Sequence, residues 1–260
     1  MKLVINHQTH YAYESPVQRS NQYIRLTPQT IGHQTVNAWQ LVAQGCCNDQ
    51  LDGFGNVWTN LTFNQPHQNL LIMSQGEVET HAVEGVKDDR LSPMIFTHPT
   101  DITRCDDALL EFSAKYGSGA GSKRSQLIDL SAAILEAMPY TTGSTQVETT
   151  ASEAFELGMG VCQDHTHVFL ACARQLELPA RYVSGYLHSD DSSHSSTHAW
   201  AEVYIDGMWY CFDTSNQLFS LEQHVYLAIG RDYLDAAPIR GSRQNGGEET
   251  MHTKVQVLAA

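Results

Sequence analysis

One cysteine stands between a glycine-rich turn and an apolar run in residues 158–176, GMGVCQDHTHVFLACARQL. Because Gly158 and Gly160 are poor helix formers, the helix is predicted to begin at about Val161 or Cys162. A thiol at that point meets unpaired backbone N–H groups and the positive end of the helix dipole, which favour a thiolate. The same N–H groups can hold a developing oxyanion. Cys162 is therefore a candidate nucleophile, although most free cysteines are small buried apolar residues.

A hairpin signal further along the chain predicts that a histidine and a carboxylate come together. Asp206-Gly207 favours a two-residue turn between two alternating strands. If the turn is centred between these residues, Asp213 lies opposite Trp200, and His198 lies on the same face two residues away. The Cα atoms of His198 and Asp213 are then diagonal neighbours at about 7–8 Å, which suits a hydrogen bond. A three-residue turn would move the two side chains to opposite faces.

Cys162, His198 and Asp213 follow one another in the chain as a nucleophile, a base and an acid. In that chemistry the thiolate attacks a carbonyl, the imidazole moves a proton to the leaving group, and the carboxylate orients the imidazole. Each residue also has a structural interpretation, as a core cysteine, an exposed strand histidine and a turn-forming aspartate. A metal site at Cys162 and His198 would need two more ligands at tetrahedral distance. We therefore predict a cysteine-dependent acyl-transfer site with no metal and no cofactor.

Two long stretches resemble the core motifs of bacterial transglutaminase-like proteins, whose core is similar to that of papain-like cysteine enzymes. They are GVCQDHTHVFLACARQLELPARYVSGY at 160–186 and THAWAEVYIDGMWYCFDTSN at 197–216. Residues 7–28, together with DGFGN at 52–56, resemble the β domain that precedes this core in the bacterial branch. Residues 230–238 also resemble that branch, so the resemblance spans nearly the whole chain.

This resemblance implies roles for individual residues. Cys162, His198 and Asp213 match the three positions regarded as catalytic in the family. Tyr140, by its position ahead of the core, is a candidate second oxyanion donor. Ser215 departs from the family pattern, which more often has Asp-Pro-Thr-Asn where this chain has DTSN. The departure leaves the acid in place and affects only the turn after it.

Four more side chains near the predicted site have two interpretations each. Gln163 and Asp164 are candidates for orienting the cleft, but Asp164 is equally a candidate helix cap, because an acidic residue is favourable in the first turn. Trp200 either shields the bond between the histidine and the acid or is a core aromatic residue. Arg181 is expected to form a structural ion pair rather than to bind Asp164 or a substrate carboxylate.

The predicted fold class is α+β, and residues 1–85 are its β part. They contain several short alternating segments, typical of an antiparallel β-sandwich-like domain. The first predicted strand covers 2–13 and is followed by a loop at 14–16. Residues 86–100, which contain a charged run and two prolines, are expected to be a linker.

Residues 101–260 are predicted to form a papain-like or transglutaminase-like core. In this core the cysteine begins a buried helix, and the histidine and the aspartate lie on antiparallel strands. Residues 189–196 are predicted to be an exposed loop. Residues 255–258 are expected to return as a C-terminal strand.

The composition bounds the partners and the compartment. The chain of 260 residues has 29 acidic and 15 basic side chains, a net charge of −14 with histidine neutral. This charge argues against general affinity for nucleic acid or an anionic membrane. No apolar h-region follows the N-terminus, and no window reaches the roughly 18 apolar residues of a membrane span. The six cysteines lack the spacing of a disulfide framework, which favours a reducing, cytoplasmic compartment.

The predicted function is that of a cysteine-dependent amide-bond hydrolase or acyl transferase, such as a cysteine protease or amidase. It would form a thioester with a peptide carbonyl or a glutamine side chain of a peptide or protein substrate. Hydrolysis is favoured only because water is always present, whereas transfer to an amine requires a site that excludes water. The alternatives are transglutaminase-type transfer to an amine and a peptide-binding module that kept the fold without the chemistry. The oligomeric state is left open.

Overall fold

The structure is a computed structural model that describes residues 1–117, 121–189 and 197–260. Apart from its first residue, the loop expected at 189–196 lies outside the described residues. The strands are β1 Lys2–Ile24, β2 Gln34–Ala43, β3 Cys46–Leu51, β4 Val57–Phe63, β5 His67–Thr80, β6 Gly85–Val86, β7 Ala180–Leu187, β8 His198–Ile205, β9 Met208–Phe212, β10 His224–Gly230, β11 Ile239–Asn245 and β12 Glu249–Ala259. The helices are α1 Asp107–Ala114, α2 Lys123–Ala137, α3 Ala151–Leu157, α4 Cys162–Gln175 and α5 Tyr233–Ala236. More residues lie in strands than in helices.

The first sheet is built around β1, a strand of 23 residues. Its side chains alternate between buried and exposed positions, so that Leu3 and Ile5 are buried while Lys2 and Val4 face outward. The register of its pairing with β5 shifts between Ala12 and Val17, where the sequence predicted a loop. A bulge at this point accommodates Pro16, which has no N–H to donate. The predicted loop is therefore an irregularity inside one strand.

The first sheet is a single antiparallel sheet of seven strands, whereas a sandwich-like arrangement was expected for residues 1–85. Its order is β2-β5-β1-β4-β3, and β11 and β12 also pair with β1. The first half of β1 pairs with β5 and β12, and the second half pairs with β4 and β11. Because β1 changes partners at its irregularity, the sheet curls, and Leu61 and Leu70 from its two halves share one buried cluster. The strand expected at 255–258 is the end of β12 and belongs to this sheet.

The second sheet carries the residues of the predicted site. Its order is β10-β7-β8-β9-β6, and α4 packs across β7 and β8. Residues 164–174 of α4 are all buried, so the helix is covered nearly all round. Small side chains such as Ala171 and Ala173 let the helix approach Ala199 and Ala201 of β8 within one core cluster. This packing fixes the start of α4 beside the start of β8.

The hairpin of β8 and β9 has the register that the sequence predicted. Ile205 pairs with Met208 across the turn, and Ala201 pairs with Phe212 further along. Asp206 and Gly207 both have positive φ, 49° and 89°. Positive φ at both positions is what a two-residue turn of type I′ requires. The prediction of a turn centred between these two residues is confirmed.

Two side-chain amides of the N-terminal region hold the first sheet against β10. Gln34 Nε2 donates to the carbonyl of Tyr226 at 3.0 Å, and the N–H of Tyr226 donates to Gln34 Oε1 at 2.8 Å. Asn56 makes the same two bonds with the carbonyl and the N–H of Ile229, both at 2.8 Å. Each amide thus makes the pair of hydrogen bonds that a neighbouring peptide would make. Both amides are almost fully buried.

Residues 86–100 run along the second sheet. Phe96, in a short 3-10 turn at Pro93–Phe96, is fully buried with its ring 5.5 Å from that of Trp209. Asp88 accepts a hydrogen bond from Arg181 at 2.9 Å.

Among the described helices, none has the length and apolar character needed to cross a membrane.

Candidate active site

The cysteine of the predicted site is the first residue of α4, as expected. Val161 precedes it in an extended conformation, and its N–H donates to Asp164 Oδ2 at 2.8 Å. The same oxygen accepts a hydrogen bond from Thr145 Oγ1 at 2.7 Å. Asp164 therefore caps the helix and also ties it to the preceding loop. A Cβ atom at Gly160 would lie 2.7 Å from the Cβ of Asp164, so only glycine leaves room for this cap.

The histidine and the aspartate of the predicted site are hydrogen-bonded. His198 is the first residue of β8, and Asp213 directly follows β9. His198 Nε2 lies 2.8 Å from Asp213 Oδ2. Asn216 contributes its backbone N–H and its side-chain amide, which donate to Asp213 Oδ1 at 3.3 and 3.1 Å. The turn after Asp213 closes through two backbone bonds with Leu218, so replacing the family's more usual turn residues does not prevent its formation.

The electrostatics of the site favour a charged imidazole. Burial lowers the pKa of His198, but the carboxylate of Asp213 and the hydrogen bond with Cys162 raise it, and its pKa is about 10. Burial raises the pKa of Asp213, but His198 and His224 outweigh that effect and hold the pKa well below its usual range. Because Nε2 of His198 is bonded to Asp213, its Nδ1 is the nitrogen left for the thiol of Cys162. A thiol, an imidazole and a carboxylate thus form a connected series.

The sequence did not identify His224, which is the second histidine on Asp213. Its Nε2 lies 3.1 Å from Asp213 Oδ2, and its side chain is fully buried. It reaches the acid from β10, which lies two strands away from β8 in the sheet. The available signal was a histidine at the start of an otherwise apolar run, HVYLAIG, at the beginning of β10.

Within the described ranges, His198, Asp213 and His224 form one group whose potential metal-ligating atoms lie within 4.8 Å of one another. The Nε2 atoms of His198 and His224 are both hydrogen-bonded to the carboxylate of Asp213, and these bonds account for their closeness without a cation. Cys162 does not belong to this group. The arrangement fits proton transfer better than the Cys/His metal site considered from the sequence.

Two cavities open on either side of the thiol and the imidazole. One has a volume of about 250 Å³ and extends past Leu187 and Asn216. The other has a volume of about 290 Å³ and extends past Ser184 and Tyr233. Their described lining residues include no aspartate, glutamate, lysine or arginine. A substrate can therefore extend in both directions from the reacting atoms.

Tyr140 borders both cavities. Its backbone pairs with Gly160 in an isolated parallel bridge, and the N–H of Thr141 donates to the carbonyl of Gly160 at 2.7 Å. Its side chain remains 43% exposed. Burial, with smaller effects from Cys162 and Asp164, raises the pKa of Tyr140 to about 12. Its phenol thus keeps its O–H proton, as a hydrogen-bond donor must.

Two other expected support residues have mainly structural contacts. Gln163 Nε2 donates to the carbonyl of Val147 at 3.0 Å and so fixes the loop beside the cleft. Trp200 is fully buried in a core cluster, and its ring stacks on that of His198 at 6.1 Å. Its ring also lies 4.7 Å from that of His224. Trp200 therefore both belongs to the core and covers the bond between the histidine and the acid.

His165 connects the turn after Asp213 to the segment before Tyr140. Its Nε2 donates to the carbonyl of Met138 at 2.7 Å, and its Nδ1 accepts from Ser215 Oγ at 2.8 Å. Burial lowers the pKa of His165, which favours the neutral ring that can make both bonds. Ser215, which differs from the family pattern, thus has a specific partner here.

Arg181 lies away from the cleft. Its guanidinium contacts Glu202 at 2.7 Å and Asp88 at 2.9 Å, and it lies 4.1 Å above the ring centre of Trp209. All three charged groups are largely buried. The expected structural ion pair is observed.

Comparison with known proteins identifies relatives for both parts of the chain. The family described as the bacterial transglutaminase-like N-terminal region matches residues 3–79, and the transglutaminase-like superfamily matches residues 111–214. An uncharacterised protein of Mycobacterium leprae is 28% identical over 98% of both chains. An uncharacterised protein of Mycobacterium tuberculosis is also 28% identical, over 95% of this chain and 89% of its own.

A solved structure shares the overall fold. It is the crystal structure of a candidate cysteine protease from Cytophaga hutchinsonii, with a TM-score of 0.82 and 24% sequence identity. The match covers 100% of this chain and 91% of the other. At this identity the similarity establishes the fold alone.

Proposed function

Because this chain belongs to the transglutaminase-like superfamily, with an N-terminal region of the bacterial type, we propose that it is a cysteine-dependent amide-bond enzyme. Cys162 is the nucleophile, His198 the base and acid, and Asp213 the orienting carboxylate. The observation that carries the proposal is the hydrogen-bonded series of thiol, imidazole and carboxylate at a helix start between two open cavities.

The first half of the reaction forms a thioester. Cys162 loses its proton to Nδ1 of His198, and its sulfur forms a bond with the carbonyl carbon of an amide. Backbone N–H groups at the start of α4 and the phenol of Tyr140 stabilise the resulting oxyanion. When the tetrahedral intermediate collapses, the C–N bond breaks, and His198 gives its proton to the departing amine.

The second half of the reaction releases the acyl group. Water or an amine gives a proton to His198 and attacks the thioester carbonyl, and the C–S bond then breaks. The thiolate leaves and the acid or a new amide is formed. Asp213 remains ionised throughout and stabilises the imidazolium at each proton transfer.

The cleft supports a neutral peptide segment as substrate. Apart from Cys162 and His198, its described lining residues include no group that would pair with a buried carboxylate or ammonium group. An uncharged amide, either of the main chain or of a glutamine side chain, meets no such penalty. The six free cysteines agree with a reducing compartment, and we propose the cytoplasm.

Peptide libraries incubated with the protein, with and without a primary amine, test this proposal. Mass spectrometry distinguishes an amide converted to an acid from an amide that has gained the added amine. We expect one of these products from the wild-type protein and neither from Cys162→Ala. A matched variant, Cys46→Ala, removes an exposed thiol on β3 and should retain the activity. Products that persist in Cys162→Ala would exclude the nucleophile, and peptide binding without any product would favour the binding module.

A further inference from the structure

Two imidazoles contact the same oxygen of the buried acid, and only one of them faces the cleft. Asp213 Oδ2 lies 2.8 Å from His198 Nε2 and 3.1 Å from His224 Nε2. We propose that His224 is a positioning residue that aims the carboxylate of Asp213 at His198, a role that rests on the proposed function. It acts through the acid and touches neither the thiol nor the substrate.

A few hydrogen-bond donors determine the orientation of the Asp213 carboxylate. Its side chain is fully buried, and Asn216 supplies the donors to Oδ1. Oδ2 contacts the imidazole of His224 as well as that of His198. It also accepts a hydrogen bond from the side-chain amide of Asn216 at 3.0 Å. The Asn216 donors come from the turn beside the cleft, whereas His224 bonds the carboxylate from the core. Without His224 the carboxylate can rotate about its Cα–Cβ and Cβ–Cγ bonds toward Asn216.

His224 itself is held in place by its surroundings. Its ring is fully buried and lies 4.7 Å from the ring of Trp200. The titratable groups that face it are Asp213, His198 on β8 with ring centres 6.1 Å apart, and His33 from the N-terminal region. Burial lowers the pKa of His33 to about 3, so the ring of His33 stays neutral. The acid between the two histidines is therefore the only anion facing His224 within this described cluster.

A purely structural role would give a different result from a positioning role. A buried histidine that only stabilises the fold would change the reactivity of Cys162 in proportion to the fraction of folded protein at each pH. A residue that aims the acid affects reactivity only where the thiol depends on the imidazole for its ionisation. Above the ionisation range of an ordinary thiol, at about pH 10, that dependence disappears.

The test measures alkylation of Cys162 by iodoacetamide, mapped by mass spectrometry, at about pH 7 and about pH 10. His224→Phe keeps an aromatic ring but no donor, and His224→Gln places an amide near the position of Nε2. We expect His224→Phe to react about tenfold more slowly at neutral pH, the effect of one charge-assisted hydrogen bond. It should match the wild type at the higher pH, and His224→Gln should recover most of the loss.

Two controls separate the outcomes. His67→Phe removes another buried histidine, bonded to Ser20 at 3.2 Å in the first sheet, and should leave alkylation unchanged at both pH values. If His224→Phe fails to fold, His224→Asn replaces it, because its shorter amide does not reach Asp213. Wild-type rates in His224→Phe, or in His224→Asn where it replaces that variant, with His198→Ala still slow, would overturn the positioning role and leave the proposed function intact. Equal slowing at both pH values, after correction for the fraction of folded protein, would also overturn it, and alkylation that is independent of His198 would reject the proposed function itself.

Discussion

Nε2 of His198 and Oδ2 of Asp213 are 2.8 Å apart across a hairpin, although the two residues are 15 positions apart in the chain. The two-residue turn at Asp206-Gly207 determines this contact, because it sets which residues share a face of the strands. The aspartate is fully buried and the histidine largely so. Their mutual attraction, together with contacts to Cys162 and His224, outweighs the effect of burial and shifts both pKa values toward the charged forms.

Asp213→Asn should lower the pKa of His198 from about 10 toward the ordinary value of about 6.5, because the neutral amide does not attract the imidazolium. A raised pKa stabilises the fold below about pH 6.5, and this stabilisation is lost as the pH rises to about 10. The wild-type protein should therefore lose stability over this range and Asp213→Asn should not. NMR titration of the His198 ring and thermal unfolding across this range measure both effects. Asp206→Asn, in the hairpin turn, is the matched control, and an unshifted His198 in Asp213→Asn would contradict the pairing.

Gly160→Ala should destabilise the protein by about 1–3 kcal/mol, the usual cost of forcing an atom into a packed site. The added Cβ would lie 2.7 Å from the Cβ and 2.8 Å from Oδ2 of Asp164, which caps α4. Movement of the cap also displaces Cys162, so alkylation at neutral pH should slow. Urea unfolding and alkylation rates test this prediction. Gly53→Ala, where the new atom meets nothing within 4 Å, should be nearly neutral, and equal effects of the two substitutions would refute the steric explanation.

Gln34→Met should destabilise the protein by about 2 kcal/mol or more, because it leaves the buried N–H and carbonyl of Tyr226 without partners. Methionine has a similar volume, so the loss reports on hydrogen bonding rather than on packing. Asn56→Leu should act similarly through Ile229. Denaturant midpoints measure the change. Gln68→Met, at an exposed position, is the control, and a Gln34→Met protein as stable as that control would refute the role of the amide.

Arg181→Met should be the most destabilising of these substitutions, at about 3–5 kcal/mol, because it leaves buried carboxylates without their cation. Glu202 loses its guanidinium, and Asp88 keeps only Arg90. Arg104→Met removes an exposed pair with Asp101 and should change stability little. Equal thermal shifts for the two arginine variants would show that burial does not matter for this pair.

Local sequence signals were sufficient to predict the positions of Cys162, His198 and Asp213 in the structure. Two glycines placed the start of α4 at Cys162, and a two-residue turn placed His198 on the same face as Asp213, as its diagonal neighbour. Each of these inferences depends on residues close together in the chain, where backbone preferences act directly. The same reasoning could not predict His224, because it meets Asp213 through the order of strands in the sheet.

Long-range pairing also explains where the predicted fold differs from the structure. A strand interrupted by Pro16 has the same local pattern as two strands joined by a loop, and only the pairing of β1 with four partners distinguishes them. The partners of Gln34 and Asn56 could not be predicted either, because the sequence around a buried amide side chain has no pattern that distinguishes it from an exposed one.

The side-chain amides of Gln34 and Asn56, which bond to the backbone of β10, have a consequence for any attempt to isolate the second sheet. β10 is an outermost strand, yet all seven of its residues are buried. A fragment lacking the first 85 residues would keep the pairing of β10 with β7 but would expose the outer edge of this apolar strand with its backbone groups unpaired, which is the usual template for strand-to-strand aggregation. The N-terminal sheet thus acts as a permanent cover that keeps copies of the second sheet from adding to one another.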